Sequence, residues 1–161
     1  MNFETDFWDT EHYKNNELTA KDVERAESQL NVKFPELLVK LLKIQNGGYL
    51  KGFVFPINFR TSWSDDHVPF DELFGINFDE IGTGESSLTS SNYLTEEWGL
   101  PESQVVLTGD GHWWITLDYR TNKQTPTISW IDVEVIEDIK LANTFDEFID
   151  QLVSNDEFEF Q

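Results

Sequence analysis

From Leu18 to Leu42 the apolar residues recur at helical spacing, with polar residues filling the gaps. Val23, Ala26 and Leu30 share one face of a helix expected over Ala20–Leu30. Thr19 is placed to cap it, with Asp22 at the third helical position, and Leu18 and Val23 are spaced as a hydrophobic staple. After Asn31-Val32-Lys33 a second helix is expected to open at Pro35, whose missing N–H costs nothing in a first turn. Phe34, Leu37, Leu38, Leu41 and Leu42 form its buried stripe. Asn46-Gly47-Gly48 ends it sharply, because glycine enters the left-handed region without a Cβ clash.

The period then changes. Phe53, Phe55, Ile57 and Phe59 alternate as on a strand, interrupted at Pro56, which predicts an edge strand or two short ones. Thr61 to Gly84 reads as loops around one or two short strands. A third helix is expected over about Ser90–Trp98, stopped by Gly99 and Pro101. "QVVLT" and "WWITLDY" flank Gly109-Asp110-Gly111-His112 as a hairpin, and "TISWID" continues the meander. "TFDEFIDQLV" is an amphipathic helix with Thr144 and Glu147 as its capping box. Helices at the two ends and meandering strands between predict an α+β fold, one mainly antiparallel, twisted sheet with flanking helices. The expected unit is a single domain over 1–161, its core at about 19–153, with an acidic segment at 1–17 and a frayed tail at 154–161.

Composition narrows the function. The 161 residues carry a net charge of −20, and none is cysteine. Disulfides, thiolate metal sites and cysteine nucleophiles are therefore excluded, in keeping with a cytoplasmic location. No secretory signal and no membrane-spanning run stands out. The negative charge repels nucleic acid and anionic membranes, and it either attracts a basic partner or serves solubility alone.

No phosphate loop, zinc-protease pair or nucleophile elbow occurs, and Gly82-Thr83-Gly84 is too short for the first. Asp65 and Asp66 precede His67, and Asp110 precedes His112, so either loop could offer an acid/base pair or metal ligands. Turn chemistry explains both segments more simply, and no catalytic residue, metal ligand or cofactor is assigned. On the hairpin, Trp113, Ile115, Leu117 and Tyr119 share the core face, leaving Trp114, Thr116 and Asp118 on the other. If a helix covers that second face, Trp114 is core; if not, it is an exposed aromatic beside carboxylates, and Trp63, near Asp65 and Asp66, raises the same question.

Three blocks in order resemble the SUKH superfamily. "VERAESQLNVKFPELLVKLLKIQNGGYL" carries Glu24 or Glu27, Leu30, Pro35, Leu38, Leu41 and Asn46-Gly47-Gly48. "PESQVVLTGDGHWWITLDYR" resembles the family's central hairpin through Gly109, Asp110, Gly111 and Asp118, and "IKLANTFDEFIDQLV" its last helix through Ala142, Phe145, Phe148 and Leu152. The segment Thr61–Glu85 departs from the family pattern. The resemblance implies an α+β domain without catalytic residues. In bacteria such domains commonly serve as immunity proteins that bind a cognate toxin, many of them nucleases. In fungi, relatives are linked to cell-wall regulation and signalling.

Resemblance and charge together lead to an expected non-catalytic immunity protein plugging a basic, nuclease-type toxin. The expected contact residues are Trp63, Asp65, Asp66, Trp114 and Asp118. The alternative is a regulatory adaptor with no toxin partner. A third possibility is an enzyme using the Asp/His loops.

Overall fold

A computed structural model describes residues 1–12, 14–78 and 86–158. Gly82-Thr83-Gly84 and the end of the tail lie outside the described residues. Helix α1 (Ala20–Leu30) forms with the expected reciprocal cap: Thr19 Oγ1 accepts from the Asp22 N–H at 3.2 Å and Asp22 Oδ2 from the Thr19 N–H at 3.0 Å. In α2 (Glu36–Ile44) Pro35 stands one place earlier than expected, as the N-cap. The Phe34 N–H donates to Glu27 Oε2 at 2.7 Å, which ties the two helices together. Leu38, Leu41 and Leu42 are buried, as the stripe requires.

The corner after α2 has a specific cause. Gly47 sits at φ +84°, and a Cβ there would lie 2.5 Å from the backbone nitrogen of Gly75. Asn46 pins the same contact, its Oδ1 accepting from the Ile76 N–H and its Nδ2 donating to the Asn16 and Ile76 carbonyls, each at 2.8 Å. Two stretches of backbone touch here, so a side chain cannot be accommodated.

The strands form two antiparallel sheets. Strands β1 (Gly48–Pro56) and β2 (His67–Leu73) pair, and β7 (Val153–Ser154) adds to the other edge of β1, giving the order β2-β1-β7. Pro56 ends β1 instead of splitting it, and the irregularity falls earlier, between Tyr49 and Phe53. Helix α3 (Ser91–Trp98) leads into the meander β3 (Gln104–Gly109), β4 (Trp113–Asp118), β5 (Thr127–Asp132) and β6 (Glu137–Ala142). Strand β6 was not foreseen. The Phe74 N–H donates to the Leu107 carbonyl at 2.8 Å, bridging from the end of β2 to β3. Helix α4 (Phe145–Asp150) spans both sheets: it packs on β5 and β6, while Phe148 lies 4.9 Å from the rings of both Phe55 and Phe70. Its cap differs slightly from the expected box. Thr144 Oγ1 accepts from the Glu147 N–H, but Glu147 Oε2 accepts from Asn143 N–H, one residue earlier than a box requires.

The N-terminal segment belongs to the core. A short π-helical turn over Phe3–Phe7 carries Phe7 into full burial, stacked on Phe53 at 5.8 Å. Trp8 follows it inward and donates from Nε1 to the Leu41 carbonyl at 3.1 Å. The tail is also held as far as Phe158, whose ring lies 4.6 Å from that of His67. Among the described residues no helix is long and apolar enough to cross a membrane.

Candidate protein-interaction surface

The connection between β1 and β2 is built to hold one aromatic residue outward. Thr61 is buried, and its Oγ1 accepts from the N–H groups of Trp63 at 3.1 Å and Ser64 at 3.3 Å. Its own N–H donates to the Ser64 carbonyl at 2.9 Å, closing a tight turn. Ser62 fastens this turn to the four-stranded sheet: its N–H donates to Glu137 Oε1 at 2.9 Å and its hydroxyl to Asp132 Oδ2 at 2.7 Å. Trp63 is left 48% exposed, with its ring edge-on to Trp113 at 5.9 Å. Trp113 in turn stacks on Trp130 at 5.1 Å, and Trp130 Nε1 donates to Glu137 Oε1 at 3.0 Å. Trp63 is thus the outer member of a rigid aromatic stack. Among the described residues, Trp113 Nε1 is a buried donor without an acceptor.

Asp65 projects into solvent beside Arg60, at 3.4 Å. Asp66 is half-exposed and bonded to His67 Nδ1 at 2.7 Å. That bond, with help from the Ser64 hydroxyl, holds the Asp66 carboxyl below its ordinary range. Trp63, Asp65 and Asp66 therefore do share one surface loop.

Trp114 and Asp118 do not join them, which corrects the expectation of an outward face. Helix α3 supplies the cover that alternation along β4 alone cannot reveal. Trp98 lies 6.1 Å from Trp114, which is only 4% exposed. Asp118 is 7% exposed and accepts from Gln104 Nε2, the Ser129 hydroxyl, the Arg120 N–H and the Arg120 guanidinium. Burial raises its carboxyl pKa, but Arg120, Gln104 and Ser129 together outweigh burial and leave it lowered. Arg120 is gripped on its far side by Asp138 and is pushed further up. These are structural residues in a closed polar network.

The histidines stay apart from one another's partners. His67 pairs with Asp66, His112 with Glu134 at 3.2 Å, and His12 with Asp9 at 3.0 Å. Among the described residues no three His, Asp or Glu side chains gather where they could hold a metal ion.

A family model designated SUKH_6 and described as SMI1-KNR4 cell-wall matches residues 20–149. The chain belongs to the SUKH family. No curated protein matches it. SUKH domains are in general non-catalytic immunity proteins that work through a protein partner, which places the search for function on the surface.

On that SUKH surface the structure shows residues that sequence reasoning missed. Trp98 is half-exposed, and the β5–β6 turn exposes Val133, Val135 and Ile136. Two signals pointed there. "VEVIE" places branched apolar residues where a turn ordinarily has Gly, Asn or Asp. From Thr61 to Tyr119 there are twelve Asp or Glu residues and no Lys or Arg.

Proposed function

We propose that this SUKH domain neutralises a protein toxin by binding it, that the contacted toxin face is basic, and that the toxin is of the nuclease type. The observation that carries this reading is the Trp63 loop: a half-exposed indole backed by a buried aromatic stack, with Asp65 and Asp66 beside it. A cleft that binds phosphates is lined with cations, and it meets in this loop both opposite charge and an aromatic anchor. The family's protein-binding character supports the same reading. The second reading, a regulatory adaptor with no toxin, draws on the cell-wall description of the matching family model.

The test is to search beside the gene for an encoded toxin domain, to co-produce the two, and to measure binding rates with a catalytically silenced form of that domain. Asp65→Asn/Asp66→Asn is expected to slow association, and the difference is expected to shrink at 1 M salt, where the Debye length falls to ~3 Å from ~10 Å at 0.1 M. Trp63→Ala is expected to speed dissociation, with a loss of about 2 kcal/mol. His67→Gln/His112→Gln should leave protection intact, because the reading uses no catalytic histidine. Salt-independent association with all variants binding like wild type would sink the acidic-plug account. Loss of protection in a folded double histidine variant would reopen an enzymatic or metal-dependent role.

A further inference from the structure

We infer that the tip of the four-stranded sheet, formed by Trp98, Val133, Val135 and Ile136, is the apolar anchor on which a basic protein partner docks. The inference rests on the proposed toxin-binding function and names the surface that holds the partner once the charges have brought it in.

Ile136 is the decisive residue. It is 92% exposed and sits at φ +58°. A branched L side chain is strongly disfavoured in that region, and turns of this kind ordinarily place Gly or Asn there. The core gains nothing from an isoleucine so exposed. A residue that breaks local backbone preference without a gain in packing marks a functional position.

The neighbours make it part of a patch. Val133 Cγ1 lies 3.9 Å from where a side chain on Gly99 would begin, directly after Trp98. The Trp98 ring reaches to 4.0 Å from the equivalent point on Gly111, in the β3–β4 turn. His112 Nδ1 and Glu134 Oε1, 3.2 Å apart, join that turn to the β5–β6 turn. Asp132 and Glu137, which flank the β5–β6 turn, are the two residues that hold Ser62, so the Trp63 loop adjoins the same tip. Exposed apolar side chains gathered in this way mark interaction sites.

Charge selects the occupant. Glu96 and Glu97 precede Trp98, Glu134 lies inside the turn, and Asp110 opens the β3–β4 turn. The run from Thr61 to Tyr119 offers no Lys or Arg to balance them. Nucleic acid is repelled, and a second copy of a chain with net charge −20 is repelled as well. A protein face with an apolar centre ringed by Lys and Arg fits.

Ile136→Asn tests this without threatening the fold, since asparagine tolerates the left-handed region better than isoleucine. Its melting temperature is expected to match or exceed that of wild type. Against a catalytically silenced form of a toxin domain found encoded beside the gene, Ile136→Asn and Trp98→Ala are each expected to raise the dissociation rate at least tenfold, with association changed less than twofold. Asp65→Asn/Asp66→Asn is expected to show the opposite split. If wild type binds that domain and both tip variants bind equally well, the tip is overturned while toxin binding stands. If wild type does not bind it, the toxin reading falls and takes the proposed occupant with it. A concentration-dependent dimer in sedimentation that Ile136→Asn dissolves would overturn the inference in favour of a second copy.

Discussion

Three glycine-to-alanine substitutions separate the torsional and steric demands of the helix-to-strand corner. Gly52 lies at φ +81° with nothing within 4 Å of a prospective Cβ, so Gly52→Ala probes torsion alone. The left-handed conformation costs an L residue roughly 1–2 kcal/mol, offset in part by the ~0.4–1 kcal/mol gained when alanine restricts the unfolded chain. A net loss of about 1 kcal/mol is expected. Gly75 has no positive φ, but a Cβ on it would overlap the Asn46 carbonyl and come within 2.6 Å of Asn46 Oδ1. Gly75→Ala therefore probes crowding alone, at about 1–3 kcal/mol. Gly47 carries both burdens, with φ +84° and backbone atoms of Gly75 at 2.5 and 2.7 Å. Neither partner is a flexible side chain that could move aside, so Gly47→Ala is expected to cost about 2–4 kcal/mol, the sum of the other two. Urea denaturation followed by the fluorescence of the chain's 6 tryptophans reads all three. A Gly47→Ala variant no less stable than Gly52→Ala would refute the close-approach account of the corner.

Two further outcomes follow from the buried groups. Asp118 has a depressed pKa when folded, so its contribution is fully present above the unfolded carboxylate value of about 3.9 and is lost as pH falls through the lower folded value. Asp118→Asn should flatten the acid limb of a stability–pH profile in that range, and an unchanged limb would show that other carboxylates set it. Asp118→Ala should cost about 2–3 kcal/mol, below the ~3–5 kcal/mol of a fully broken buried pair because Arg120 retains Asp138. Phe7→Ala should cost about 3–5 kcal/mol, as for any fully buried phenylalanine; a melting temperature close to wild type would mean that the N-terminal turn is dispensable.

What the sequence disclosed depended on range. Helices α1 and α2 were legible almost to the residue because cap, staple and apolar stripe all lie within a few positions of one another. The β3–β4 hairpin was legible for the same reason. Strand β6 was not, because Ile139 and Leu141 stand among charges and are only half-buried. The N-terminal turn escaped notice because its acidic residues masked the spacing of Phe3 and Phe7. Alternation along β4 placed Trp114 and Asp118 on one face correctly, but whether that face is covered depends on α3 and on Arg120 with Asp138, contacts that periodicity does not encode. The exposure of Trp63 follows from Ser62 reaching residues 70 and 75 positions away. The SUKH resemblance located the fold, while the proposed interaction surface lies partly in the stretch that departs from the family pattern.

Those long-range fastenings also set a clock. Ser62 leaves the ribosome well before Asp132 and Glu137, separated from them by 70 and 75 residues. At roughly 5–20 residues per second, that separation amounts to roughly 4–15 s of synthesis. Strand β7, which completes the three-stranded sheet by pairing Val153 and Ser154 with Val54 and Phe53, arrives later still. During that interval the Trp63 turn has no sheet to lean on. On the proposed toxin-binding function, a nascent chain would offer no protection by this surface, and a cell relying on it would need a standing stock of finished protein before the toxin appears.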